Sequence, residues 1–169
     1  MSFREVKPEE LSFNPFTRIG SDWMLITAGT EKAFNTMTAS WGGAGVFWGK
    51  NTVTCYIRPQ RYTKEFVDAG ERFSLSFFGP GYREALNLCG SVSGRDCDKI
   101  ARSGLTPFFT DGVPAFEEAD LVLICKKLYR APMKPEQFFS EEGVETFYPK
   151  KDFHDLYIAE IEKALLREA

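Results

Sequence analysis

The chain has 169 residues, 43% of them hydrophobic and 27% charged, with a net charge of −3 at pH 7. That length and balance suit a single soluble domain over residues 1–169, and the acidic charge argues against nucleic acid, whose phosphates are held by clustered Lys and Arg. No apolar run approaches the ~20 residues that span a bilayer, and the N-terminal MSFREVKPEEL lacks the apolar stretch of a signal peptide, so no membrane partner and a cytoplasmic location are expected.

In chain order, Trp23 to Gly29 reads as a first strand, and Phe34 to Trp41 follows as its hairpin partner. Thr52 to Arg58 alternates, with Val53, Cys55 and Ile57 on one face; Arg72 to Phe78 alternates with Phe73, Leu75 and Phe77. Asp120 to Lys126 is the most apolar strand candidate. Short helices are predicted over Thr63 to Ala69, stopping at Gly70, over Tyr82 to Leu88, stopping near Gly90, and over Asp96 to Arg102, stopping near Gly104. Pro135 opens another short segment with Phe138, Phe139 and Val144. The tail LYIAEIEKALLREA begins with strand-like alternation, but its Ala, Glu, Lys and Leu content favours helix. Long helices do not alternate with the strands, so a doubly wound parallel sheet is disfavoured and a mainly antiparallel barrel with short helices is expected.

Chemistry is bounded next. Cys55, Cys89, Cys97 and Cys125 form no Cys-x-x-Cys pair and read as free thiols. With His154 the single histidine, a metal site is not expected. No G-x-G-x-x-G, Walker A or G-x-S-x-G motif occurs, which removes a Rossmann dinucleotide site and an elbow-type serine hydrolase.

Two stretches carry what remains. FNTMTASWGGAGVFWGK, 34 to 50, sets Thr36, Thr38, Ser40 and four glycines among Phe34, Trp41, Phe47 and Trp48. Such a stretch suits a flat, hydrogen-bonding ligand, or else a Thr-rich edge strand with its Trp in the core. CYIRPQRYTKEFVDAG, 55 to 70, brings Arg58, Arg61, Thr63 and Lys64 to a helix start, where free N–H groups and guanidinium forks suit an anion. A capped surface helix with solvated basic residues explains the second stretch by itself. Together, on neighbouring antiparallel strands, the two suit a ligand with a planar heterocycle at one end and a phosphate at the other, and FMN is such a molecule.

NTMTASWGG, then WGKN, RPQRYTKEF, FSLSFFG and SGRDCDK, resemble the flavin reductase-like, FMN-binding split-barrel family, which includes flavoredoxin-like proteins. The resemblance runs from about Trp23 to Lys99, with a weaker echo in HDLYIAEIEK. It implies a Greek-key split β-barrel, a homodimer, and FMN close to the subunit interface. Carried over by position, Thr36, Met37, Thr38, Ala39, Ser40 and Trp41 would line the isoalloxazine and ribityl chain, largely through backbone groups. Arg58, Arg61, Tyr62, Thr63 and Lys64 would surround the phosphate.

The function implied is an oxidoreductase in which FMN accepts a hydride from NAD(P)H and passes electrons to a flavin, a metal chelate or a protein. In such sites the flavin does the chemistry, so no catalytic side chain is expected. His154 is a candidate for the substrate side, near the nicotinamide, and a surface or interface histidine is the plainer reading. Ser93, Arg95 and Lys99 either border the open flavin face or form a capped polar loop. The alternative function is a non-enzymatic FMN electron carrier with no pyridine-nucleotide site. An oxidase of pyridoxine-type phosphates would need a second anion site, and no second Arg cluster is visible.

Overall fold

The computed structural model describes residues 2–168. Its strands are β1 (Phe3–Val6), β2 (Met24–Thr30), β3 (Ala33–Ala39), β4 (Gly42–Phe47), β5 (Lys50–Ile57), β6 (Arg72–Phe77), β7 (Pro107–Thr110), β8 (Val113–Phe116), β9 (Leu121–Pro132) and β10 (Asp155–Arg167). The helices are short: α1 (Pro15–Thr17), α2 (Tyr62–Ala69), α3 (Arg83–Ser91), α4 (Lys99–Ser103) and α5 (Glu141–Phe147). Among the described residues no helix is long and apolar enough to cross a membrane.

All strands but β7 and β8 form one antiparallel sheet, in the order β3-β2-β6-β9-β10-β5-β4. Along the half of β10 that β5 does not cover, β1 takes the same edge. The two ends of this order, β3 and β4, are consecutive in the chain and joined only by Ser40 and Trp41. The sheet therefore curls until its ends approach, and it stays open along the seam between them. This is the expected split barrel. The two informative stretches meet in the ladder only through β4, whose Gly42 faces Cys55 of β5; β3, which carries Thr36 and Thr38, pairs with β2. Curling, rather than pairing, brings β3 towards the second stretch.

Period-two alternation builds the core. Met24, Ile26, Met37, Val53, Cys55, Ile57, Phe73, Leu75, Phe77, Leu123, Cys125 and Tyr157 point into the barrel and are buried. The intervening Leu25, Val122 and Ile124 pack outward under Leu86 and Cys89 of α3 and under Val113 and Phe116 of β8. A fully buried aromatic or aliphatic side chain contributes about 1.5–3 kcal/mol, so both layers are needed to hold a sheet that never closes.

The tail corrects the composition-based expectation of a helix. It is β10, the central strand that both β9 and β5 flank. Asp155, Tyr157 and Ala159 alternate into the interior, and two full ladders outweigh the helical propensity of Ala, Glu and Leu. The glycine-rich β4 was not foreseen as a strand. A Cβ on its Gly42 would stand 2.8 Å from the Thr54 carbonyl and 3.2 Å from the Met24 methyl, so the close approach demands glycine. The helix expected from Asp96 starts at Lys99, because the Asp98 carboxylate accepts from the Ala101 N–H and caps it there.

Candidate functional site

A strand at a sheet edge turns every second residue's N–H and C=O away from its partner. On β3 those residues include Thr36 and Thr38. The Thr36 carbonyl accepts from Asn35 Nδ2 at 3.3 Å, and the Thr38 carbonyl accepts from Arg61 Nη2 at 3.4 Å. The free edge of β3 is thus one wall of a groove. The N-terminus of α2, the end of α3 and the loop after it, and the segment before β10 form the rest.

Three cavities run along that wall and share residues. The first, about 450 Å³, lies beyond Trp41 and is walled by Phe16, Ile19, Trp41, Tyr56 and Tyr148 over a floor at Gly42 and Gly43. A middle one of about 180 Å³ is lined by Met37 to Trp41 with Tyr56, Arg58, Arg61 and His154. The third, about 200 Å³, lies between Gln60 to Thr63 and Ser91 to Ser93, with Lys99 at its base. Ser40, Trp41 and Tyr56 belong to the first two; Met37 and Arg61 belong to the last two.

The third cavity is cationic. Arg61 is the N-cap residue of α2, and no side chain caps that helix start, so its leading N–H groups face the cavity with the positive end of the helix dipole. The Arg61 guanidinium donates to the Gly90 carbonyl at 2.9 Å. Lys99 is 3% exposed, and its ammonium donates to the carbonyls of Cys89 at 3.0 Å and Val92 at 3.2 Å. Burial holds both groups below their ordinary pKa values; the Arg58 charge adds to the effect on Arg61, and the Arg61 charge to that on Lys99. The nearby carboxylates are already taken: Asp152 by Arg58, Asp68 and Asp155 by Lys64, Glu65 by Arg95. A buried ammonium and a half-buried guanidinium at an uncapped helix start, with no carboxylate of their own among the described residues, make a site for an anion.

Several expected residues turn elsewhere. Lys64 does not join the groove; its ammonium stands 2.6 Å from Asp68 and 3.0 Å from Asp155, in a cluster with Arg130 and Tyr157 behind α2. Thr63 is wholly buried, its hydroxyl accepts from Asn35 Nδ2 at 2.8 Å, and the residue lines the third cavity. Thr36 is also buried, its hydroxyl 2.8 Å from that of Thr27. The Thr38 hydroxyl donates to the Leu86 carbonyl. Arg58 lines the middle cavity but is anchored by Asp152 at 2.8 Å and the Phe147 carbonyl at 2.9 Å, with its guanidinium over the Tyr148 ring. Ser40, Trp41, Arg61 and Tyr62 do border the groove. Arg95 lies outside it, paired with Glu65 and over the Tyr62 ring.

His154 is buried on the opposite wall, with Nδ1 2.7 Å from the Tyr148 hydroxyl and its ring 5.2 Å from that of Trp41. Burial, with the Arg58 charge adding to it, pushes the imidazole down to about 4, so it is neutral at physiological pH. Sequence reasoning missed Tyr56, Tyr148, Gly90 and Ser91, and assigned Lys99 no phosphate role. The signal for Lys99 was present in SGRDCDK, one strand and one helix away from the cradle it completes. Gly94 in that motif is tightly packed: a Cβ there would meet Asn35 Oδ1 at 2.1 Å, and the Asn35 side chain would have to shift.

A family model described as flavin reductase like domain matches residues 16–169. Among solved structures the fold is similar to flavoredoxin from Methanosarcina acetivorans, at 22% identity and a TM-score of 0.68, covering 87% of this chain and 69% of that one. It is similar to an FMN-binding domain of a flavin reductases-like enzyme from Shewanella baltica OS155, at 20% identity and 0.70, covering 98% and 77%. The styrene monooxygenase flavin reductase of Pseudomonas putida S12 aligns at 17% identity and 0.64, covering 88% and 80%. No curated protein matches the sequence.

Proposed function

The chain belongs to the flavin reductase-like domain family, and on that premise we propose that it is an FMN-dependent oxidoreductase that takes electrons from NAD(P)H and passes them to a second acceptor. One observation carries the reading: a single groove is cationic at one end and runs from there along the β3 edge to the Trp41 and Tyr56 rings. A phosphate at Lys99, Arg61 and the start of α2, and a ring against the free edge of β3, suit the two ends of FMN. When bound, the flavin supplies the two-electron chemistry.

The protein's part is to bind, orient and exclude water. Ser91 and Ser93 add hydroxyls beside the phosphate. Outward backbone groups from Thr38 to Trp41 would bond the ring's polar edge, and the Trp41 and Tyr56 rings would shield it. With Nδ1 engaged by Tyr148, a neutral His154 offers Nε2 to a nicotinamide amide or another substrate. Four unpaired cysteines fit a reducing compartment such as the cytoplasm.

The purified protein should be yellow and release FMN rather than FAD on denaturation, and anaerobic stopped-flow mixing with NADH or NADPH should bleach the flavin. Release of FAD would count against the assignment. FMN that neither nucleotide reduces would move the reading to a non-enzymatic electron carrier.

We also expect a homodimer. Phe16 is 87% exposed and Trp48 68%, and Trp41 and Phe147 stand in contact at the surface beside the groove. Stable homodimer interfaces are rich in such side chains. Light scattering at micromolar concentration should give twice the 19.2 kDa chain mass, and a monomer would refute it.

A further inference from the structure

The cavity beyond Trp41 differs from the rest of the groove in one respect. None of the residues lining it is charged: its walls are Phe16, Ile19, Trp41, Tyr56, Met133 and Tyr148, and the rest are glycine, alanine, proline and Ser40. The cationic third cavity lies at the far end, separated from it by the middle one. We propose that this cavity binds an uncharged planar aromatic ring, and that the ring is the electron acceptor, a quinone.

This rests on the FMN reading and says which class of acceptor the same groove takes. About 450 Å³ is the size of a small-molecule pocket rather than of a protein-docking face. The Trp41, Tyr56 and Tyr148 rings in its wall offer stacking. Gly20, where an added Cβ would meet nothing within 4 Å, leaves room for a flat molecule. Ser40, Trp41 and Tyr56 are common to this cavity and the middle one, so a ring here stands beside one held on the β3 edge. The Ser40 and Tyr56 hydroxyls can donate to quinone carbonyls. An anionic chelate would leave its charge beside apolar walls with no cation to meet it. FMN, when bound and reduced, would supply the two electrons and two protons that convert the quinone to its hydroquinone, and would be left oxidised.

The test is calorimetric titration of the oxidised, FMN-loaded protein with 2-methyl-1,4-naphthoquinone and with 1,4-naphthoquinone-2-sulfonate, where no turnover occurs. The neutral ring should bind at least tenfold more tightly than the sulfonate. Gly20→Asp places a carboxylate in the lining at a position where an added Cβ meets nothing within 4 Å. It should weaken the neutral quinone at least tenfold and leave FMN affinity within twofold, while Gly20→Ala should behave as wild type. On the reduced protein, re-oxidation should be faster with the neutral quinone than with ferric citrate. Equal binding of the two quinones, no binding of the neutral one, or indifference to Gly20→Asp would overturn the proposal. Titration of the FMN-free protein reads the cavity by itself, so a failure of FMN binding and a failure of this site are told apart.

Discussion

Lys99→Met should weaken FMN binding roughly tenfold to a hundredfold and leave riboflavin binding unchanged. A hydrogen bond to a charged group contributes about 1.5–3 kcal/mol, and each 1.4 kcal/mol is a factor of about ten in affinity. Riboflavin lacks the phosphate, so the lost ammonium has nothing to hold. Arg61→Ala should cost a similar factor through the same phosphate. It also frees the Gly90 and Thr38 carbonyls that Arg61 bonds, and Lys99→Met frees those of Cys89 and Val92, so the stability of both variants should fall. Fluorescence titration of the apo-proteins with both flavins decides it. Full FMN affinity in both single variants would end the phosphate assignment, and the α2 start would then be an ordinary surface feature.

Stability should fall as the pH is lowered from about 6.5 to about 4, and His154 should account for part of that fall. In the unfolded chain an imidazole takes up its proton near 6.5; in the folded protein burial delays this to about 4. Across that window the unfolded state binds more protons, so the contribution is intact above 6.5 and lost by about pH 4. At about 1.4 kcal/mol per pH unit it amounts to something on the order of 3 kcal/mol. His154→Gln cannot titrate. Urea unfolding of both proteins along a pH series should therefore show the wild-type advantage shrinking by that amount between pH 7.5 and pH 4, with the carboxylates cancelling in the difference. Parallel curves would show that the imidazole is accessible and ordinary.

Local signals carried much of the fold. The α2 helix stops at Gly70, and the Gly104 that ends α4 is in the left-handed region, as the residue types demanded. Alternation in Thr52 to Arg58 and Arg72 to Phe78 was readable because one face of each strand is core. β10 was not readable by composition, since what makes it a strand is the pair of ladders beside it. The same division holds at the site. That a cationic helix start follows Pro59 is written in the local sequence; which lysine faces it is not. Lys64 lies beside Arg61 in sequence yet points at Asp68 and Asp155, and Lys99 arrives from another helix. Thr36 and Thr38 looked alike as hydroxyls, but their partners come from β2 and α3, elements whose placement only the folded sheet determines.

The open seam of the barrel has a consequence for the protein's life in a crowded solution. An unpaired edge strand is a template on which another chain's strand can assemble, the route to aggregates. On β3 the outward carbonyls of Thr36 and Thr38 are already taken by the Asn35 and Arg61 side chains, and Gly90 of α3 sits against Thr38. Side-chain amide and guanidinium groups occupy what a foreign backbone would otherwise pair with, and they do so without supplying the regular ladder it would need. The groups that ready this edge for a small ligand also deny it to a stranger's strand, so function and solubility are guarded by the same few residues.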